Sequence, residues 1–139
     1  MSKICILGAG GFGLALAKML GENDNDVSVW SAFPNEIELL KEKRGNEKLL
    51  AGVVIPENVK LTAGMGDAKG SDVIIAAVPS QAVRTVITQL KDHLSGNEII
   101  VNVAKGLEHT TLMTLSQVVT EVLGHDRHVA LSGPSHAEE

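Results

Sequence analysis

The sequence predicts an α/β fold built on a doubly wound, mostly parallel six-stranded sheet, and three observations carry that prediction. Apolar runs of strand length alternate with segments patterned as helices, in the order βαβαβ and then βαβαβ again. The first run, Ile4-Cys5-Ile6-Leu7, passes straight into Gly8-Ala9-Gly10-Gly11-Phe12-Gly13. Small and apolar residues of good helix propensity follow, from Leu14 to Leu20. Aromatic residues are scarce, Phe12, Trp30 and Phe33 alone, so aliphatic side chains must fill the interior, as in a parallel sheet covered by helices.

Each element follows from local chemistry. Gly21 and the polar run Glu22 to Asp26 end the first helix and turn the chain. Val27-Ser28-Val29-Trp30 reads as the second strand. Pro34-Asn35 opens a helix over Glu36 to Arg44, which Gly45-Asn46 stops. Residues 46–58 read as loop, because Pro56 forbids a central strand. Val59 to Thr62 is a short third strand, and Asp67 to Gly70 a single helical turn. Val73 to Val78 is an unbroken apolar fourth strand, closed by Pro79. Ser80 is a fair N-cap for a helix from Gln81 to about His93. Glu98 to Val103 is the fifth strand. Thr110 to Leu123 is a helix with apolar residues at 112, 115, 118, 119, 122 and 123, capped by Gly124. His128 to Leu131 is the sixth strand, and Ser132-Gly133-Pro134-Ser135 follows. Right-handed crossovers then give the sheet order 3-2-1-4-5-6 in one domain over residues 1–139.

Composition narrows the function. The 139 residues carry a net charge of −5 with no basic block, so nucleic acid is not an expected partner. No apolar run approaches the ~20 residues of a membrane span. The N-terminus reads as strand rather than as a signal peptide. Cys5 is the single cysteine and falls inside the first strand; a core role and a cytoplasmic setting are expected. His125 and His128 stand three apart without a cysteine nearby, and no metal site is expected.

The strand, GxGxxG, helix order is the context of a dinucleotide site. Gly8 permits the tight turn out of the strand. Gly10 leaves room for a pyrophosphate against the backbone, and Gly13 lets the helix pack closely on the strand. Free N–H groups at the helix N-terminus then face the phosphates. At the end of the second strand an acid would bind the ribose hydroxyls of NAD, and an arginine would meet the 2′-phosphate of NADP. Ser31-Ala32-Phe33 supplies neither, so both coenzymes remain open. Ligands in such sheets sit outside the carboxyl ends of the strands, where segments 8–13, 31–33, 79–82 and 104–108 meet and 132–137 joins them. Lys105, beside Gly106, could pair with a phosphate or polarise a carbonyl, or be a solvated loop lysine.

GAGGFGLALA, VPSQAVR, AKGLE and SGPSHAEE, in this order and spacing, resemble the bacterial type of NAD(P)-dependent glycerol-3-phosphate dehydrogenase. The resemblance covers the whole chain. It implies a Rossmann coenzyme domain in which Lys105 contacts coenzyme and substrate, Gly133 and Ser135 help to hold substrate, and Ala137 touches the coenzyme. It further implies that Gly11 and Phe12, inside the fingerprint of Gly8, Gly10 and Gly13, line the coenzyme phosphates and that Ala32 falls near the adenosine ribose; Phe33 beside it is counted with the coenzyme site. Gly11, Phe12, Ala32 and Leu49 depart from residues common in the family, which argues against a strong NADP preference. The reaction implied is reversible hydride transfer between NAD(P)H and dihydroxyacetone phosphate, giving sn-glycerol 3-phosphate, a glycerophospholipid precursor. The family places its proton donor in a helical second domain. The chain is therefore expected to be the coenzyme half alone, with no catalytic residue assigned within it and a homodimer as a candidate assembly. The rivals are another two-domain hydroxy-acid or sugar-acid dehydrogenase and a nucleotide-sensing regulatory domain.

Overall fold

The computed structural model describes residues 1–131. Gly133, Ser135 and Ala137, expected at the substrate and coenzyme, lie outside the described residues. Six strands are formed: β1 (Lys3–Leu7), β2 (Asp26–Trp30), β3 (Lys60–Thr62), β4 (Val73–Ala76), β5 (Ile99–Asn102) and β6 (His128–Ala130). They lie in the order β3-β2-β1-β4-β5-β6, the order expected, and all five pairings are parallel. Four α-helices cover the sheet: α1 (Gly11–Glu22), α2 (Pro34–Lys43), α3 (Val83–Lys91) and α4 (Leu115–Leu123).

Alternation along the strands splits the core into two layers. Ile4 and Ile6 of β1 point to the layer that includes Leu14 and Ala17 of α1 and Ile37 and Leu40 of α2. Cys5 and Leu7 point to the other layer, with Val86 and Leu90 of α3 and Val118 and Val119 of α4. Cys5 is 1% exposed, and burial pushes its thiol up to about 11, so it behaves as the core residue expected. Paired strands buried on both faces explain why the sequence shows apolar runs rather than half-polar alternation.

Several boundaries differ from expectation. The first helix starts three residues earlier, at Gly11, and runs through Gly21 to Glu22. Gly21 is buried inside it, since a Cβ there would stand 2.7 Å from Val59 Cγ2. The second helix starts at Pro34, and Arg44 is its left-handed C-cap at φ 53 rather than its last residue. The helical turn is a 3-10 turn over Met65–Ala68. Ser80 to Ala82 form another 3-10 turn, and no side chain caps α3, so Ser80 is not the cap expected. Val59, Val78, Glu98, Val103 and Leu131 lie just outside their strands. The last helix begins at Leu115, not Thr110: Thr114 and Gln117 form a reciprocal capping box. Residues 107 and 114 pair instead as an antiparallel bridge.

Glu98 ties two turns to the sheet. Its buried carboxylate accepts the amides of Ser95 at 2.8 Å, Gly96 at 2.9 Å and Asn97 at 3.0 Å, and that of Gly70 at 3.4 Å. Burial alone would raise this carboxyl, but the converging donors outweigh it and hold it at about 2. The folded-state value lies below the ordinary one, so the stabilisation is complete above pH 4.5 and is lost as pH falls to about 2. Glu98→Gln is expected to cost about 1–3 kcal/mol at pH 7, read by urea unfolding. The gap to wild type should narrow as pH falls below 4.5 and close near pH 2; a gap unchanged over that range would remove the carboxylate as its cause.

Candidate functional site: a crevice at the carboxyl ends of the strands

Strand order reverses at β1: β2 and β3 are laid down on one side of it and β4 to β6 on the other, so that β1 and β4 are parallel neighbours separated by β2 and β3 in sequence. This is the switch point where doubly wound sheets open a crevice. The backbone there is drawn tight: Gly8 N donates to Trp30 O and Ala77 N to Leu7 O, both at 2.8 Å. Gly8 has φ +121, and a Cβ on it would lie 2.5 Å from Ala77 O. Both its backbone angle and its neighbour therefore require glycine. A Cβ on Gly13 would lie 2.3 Å from Gly8 O, so only glycine lets α1 approach β1 this closely.

Gly10 is the opposite case. A Cβ there would meet no protein atom within 4 Å, and its φ −74 and ψ −179 suit any residue. Nothing in the described protein demands glycine at this position. Gly10 is also the N-cap of α1, which has no side-chain cap and no acid in its first turn. Open space before the uncapped N-terminus of a 12-residue helix fits a pyrophosphate.

Gly11 is packed differently, because a Cβ there would stand 2.8 Å from Leu49 O of the 46–58 loop. Phe12 and Phe33 are 57% and 68% exposed, and Ala32 is exposed beside Phe33. With exposed Leu49 they put apolar surface around the fingerprint. Lys105 follows β5 and is exposed. The structure thus brings Gly8, Gly10, Gly11, Phe12, Gly13, Ala32, Phe33 and Lys105 to the carboxyl ends of β1, β2 and β5.

Three features were missed in the sequence. First, an acid does reach the end of β2: Glu36, in the first turn of α2, accepts from Ser31 Oγ at 3.4 Å. Second, Arg44 is engaged by carbonyl oxygens of the following loop, those of Ile55 at 3.4 Å, Val59 at 3.0 Å and Pro56. It is thus tied to the loop that flanks Gly11. Third, the Lys105 loop is held from both sides. Asn102 Oδ1 accepts the amide of Ala104 at 3.2 Å, while Gln81 Nε2 donates to Leu107 O at 3.0 Å. His125 and His128 turn their ring nitrogens to the Arg127 amide and the Thr120 hydroxyl. A separate cavity of about 480 Å³, lined by Lys3, Asp26, Ser28, Lys60 and Asp67 among others, lies toward the amino ends of β1–β3, away from the fingerprint.

Residues 3–139 match the family model described as NAD-dependent glycerol-3-phosphate dehydrogenase N-terminus. The chain belongs to this family. Glycerol-3-phosphate dehydrogenase [NAD(P)+] of Fusobacterium nucleatum is 44% identical over 142 residues, covering 100% of this chain and 42% of the relative. One from Lactobacillus delbrueckii subsp. bulgaricus is 43% identical over 146 residues, covering 100% and 43%. The crystal structure of glycerol-3-phosphate dehydrogenase from Coxiella burnetii superposes with TM-score 0.86 at 31% identity, over 97% of this chain and 42% of that one. The Saccharomyces cerevisiae enzyme gives 0.80 at 26% identity, again over 97% and 42%. The chain matches the N-terminus of this family and spans less than half the length of the curated relatives it matches. Among the described residues no helix is long and apolar enough to cross a membrane.

Proposed function

We propose that this chain is the coenzyme-binding part of a glycerol-3-phosphate dehydrogenase that interconverts dihydroxyacetone phosphate and sn-glycerol 3-phosphate. The observation that carries it is Gly10, a glycine that nothing among the described residues demands, at the uncapped N-terminus of α1. NAD or NADP, when bound, supplies the hydride chemistry. The chain's task is to bind and orient. Gly8, Gly10, Gly11, Phe12 and Gly13 hold the pyrophosphate, Ala32 and Phe33 flank the adenosine, and Lys105 meets coenzyme and substrate. Gly133 and Ser135 take the substrate and Ala137 the coenzyme. Buried, reduced Cys5 fits a cytoplasmic setting.

The Glu36 carboxylate near the end of β2 is a group that would also suit a nucleotide-sensing domain. Membership of the dehydrogenase family favours the enzyme. Titration with NADH tests the reading; a folded chain that binds neither NADH nor NADPH would overturn it.

The same carboxylate bears on coenzyme choice. It opposes a 2′-phosphate, while Arg44 is engaged by the carbonyl oxygens of Ile55, Pro56 and Val59. A preference for NADH below about 30-fold, or roughly 2 kcal/mol, is expected. Glu36→Gln should narrow it. Competitive titration of both coenzymes measures this, and a hundredfold preference for NADPH would point to Lys43, since Arg44 is held by the loop.

A further inference from the structure

An ion-pair network stands beside the Lys105 loop. Arg84 of α3 meets Glu108 through two bonds, Nε to Oε2 at 2.8 Å and Nη2 to Oε1 at 3.0 Å. Its Nη1 donates to Glu121 of α4 at 2.9 Å. Thr111 Oγ1 donates to Glu108 Oε1 at 2.6 Å. The Glu108 side chain is only 8% exposed. The Arg84 guanidinium, and after it the Thr111 hydroxyl, hold its carboxyl below the usual range.

A buried ion pair is weak evidence for stability, because apolar replacements often do as well; fixing one arrangement is its better-attested use. The arrangement here is the chain from 104 to 114. Glu108 N donates to Met113 O at 2.9 Å and Leu112 N to Glu108 O at 2.8 Å. Gln81 accepts the His109 amide at 2.9 Å while donating to Leu107 O at 3.0 Å. Lys105 stands three residues before Glu108, beside Gly106 at φ +96. Gly106 takes a backbone angle that other residues rarely adopt, and the anchor at Glu108 fixes the chain three residues beyond Lys105. A planar guanidinium fixes the plane of a carboxylate as well as its distance, which a lysine cannot do.

We propose that Arg84 and Glu108 are positioning residues, whose forked pair sets the 104–108 loop and thereby the place of Lys105 at the coenzyme. This rests on the reading of Lys105 as a coenzyme contact. The test is a double-mutant cycle on this chain. NADH dissociation constants are measured for wild type, Lys105→Met, Glu108→Gln, Arg84→Lys and each clamp variant combined with Lys105→Met, with thermal melts to confirm folding. Lys105→Met should weaken NADH about tenfold, and Glu108→Gln about fivefold when Lys105 is present but less than twofold when it is Met. Arg84→Lys should show the same asymmetry and keeps the test alive if Glu108→Gln does not fold. Equal losses in both backgrounds, or no loss from either clamp variant, would overturn the proposal while leaving Lys105 as a contact. A Lys105→Met variant with unchanged affinity would overturn the reading of Lys105 and the proposal with it.

Discussion

Residues 1–139 are expected to bind NADH yet give no measurable turnover of dihydroxyacetone phosphate, even with coenzyme saturating. Reduction of a ketone needs a hydride, a wall that aligns the carbonyl carbon with it, and a proton for the forming alkoxide. Among the described residues, the crevice is lined by the carboxyl ends of the strands and the loops that follow them. Relatives are more than twice as long, with the chain covering 42% of the Fusobacterium nucleatum enzyme. The family resemblance puts the proton donor in the part beyond. Loss of alignment and of general acid catalysis together removes on the order of 10 kcal/mol from transition-state stabilisation. Loss of NADH absorbance, run beside a full-length relative, measures it. Turnover within tenfold of that relative would place the chemistry in this chain, with Lys105 the first candidate for proton donor.

Gly10→Val should abolish coenzyme binding without disturbing the fold. The backbone angles suit valine, and among the described residues no atom beyond the chain neighbours lies within 4 Å of the Cβ position, so stability should change by less than about 1 kcal/mol. The branched side chain would fill the space given to the pyrophosphate, and NADH affinity should fall at least about a hundredfold, or ~2.7 kcal/mol. Gly13→Ala is the mirror case. Its Cβ would lie 2.3 Å from the Gly8 carbonyl oxygen, which cannot move aside, so stability should drop by about 3 kcal/mol or more. Calorimetry and urea unfolding on both variants separate the roles. Unchanged NADH binding by folded Gly10→Val would sink the phosphate site.

The sheet was legible because its strands are buried on both faces and crossover handedness leaves few orders to choose from. Their ends were not, because pairing rather than side-chain character sets them. Val78 is buried and apolar, yet the β4–β5 ladder stops at Ala76 opposite Asn102. Leu112 fits the helical repeat of α4 but has φ +59, in the bridged segment before the Thr114–Gln117 box. That box is written in the sequence as Thr-x-x-Gln and marked the true start. In the site, the turn at Gly8 and the close packing at Gly13 were readable because each follows from its offset in the fingerprint. Glu36 escaped because the fold brings its carboxylate to Ser31 from the next helix, five residues on. The Arg84–Glu108 pair escaped because its members are 24 residues apart and meet only after α3 has packed.

Amide chemical shifts of the nitrogen-labelled chain, followed as NADH is added, locate the site directly. The largest changes should fall at Gly8 to Gly13, with others at 31–33, 79–82 and 104–108. Amides at Lys3, Asp26 and Lys60, beside the cavity toward the amino ends of β1–β3, should stay still. Shifts concentrated at those three, with Gly10 and Gly13 unmoved, would contradict the assignment of this crevice to the coenzyme.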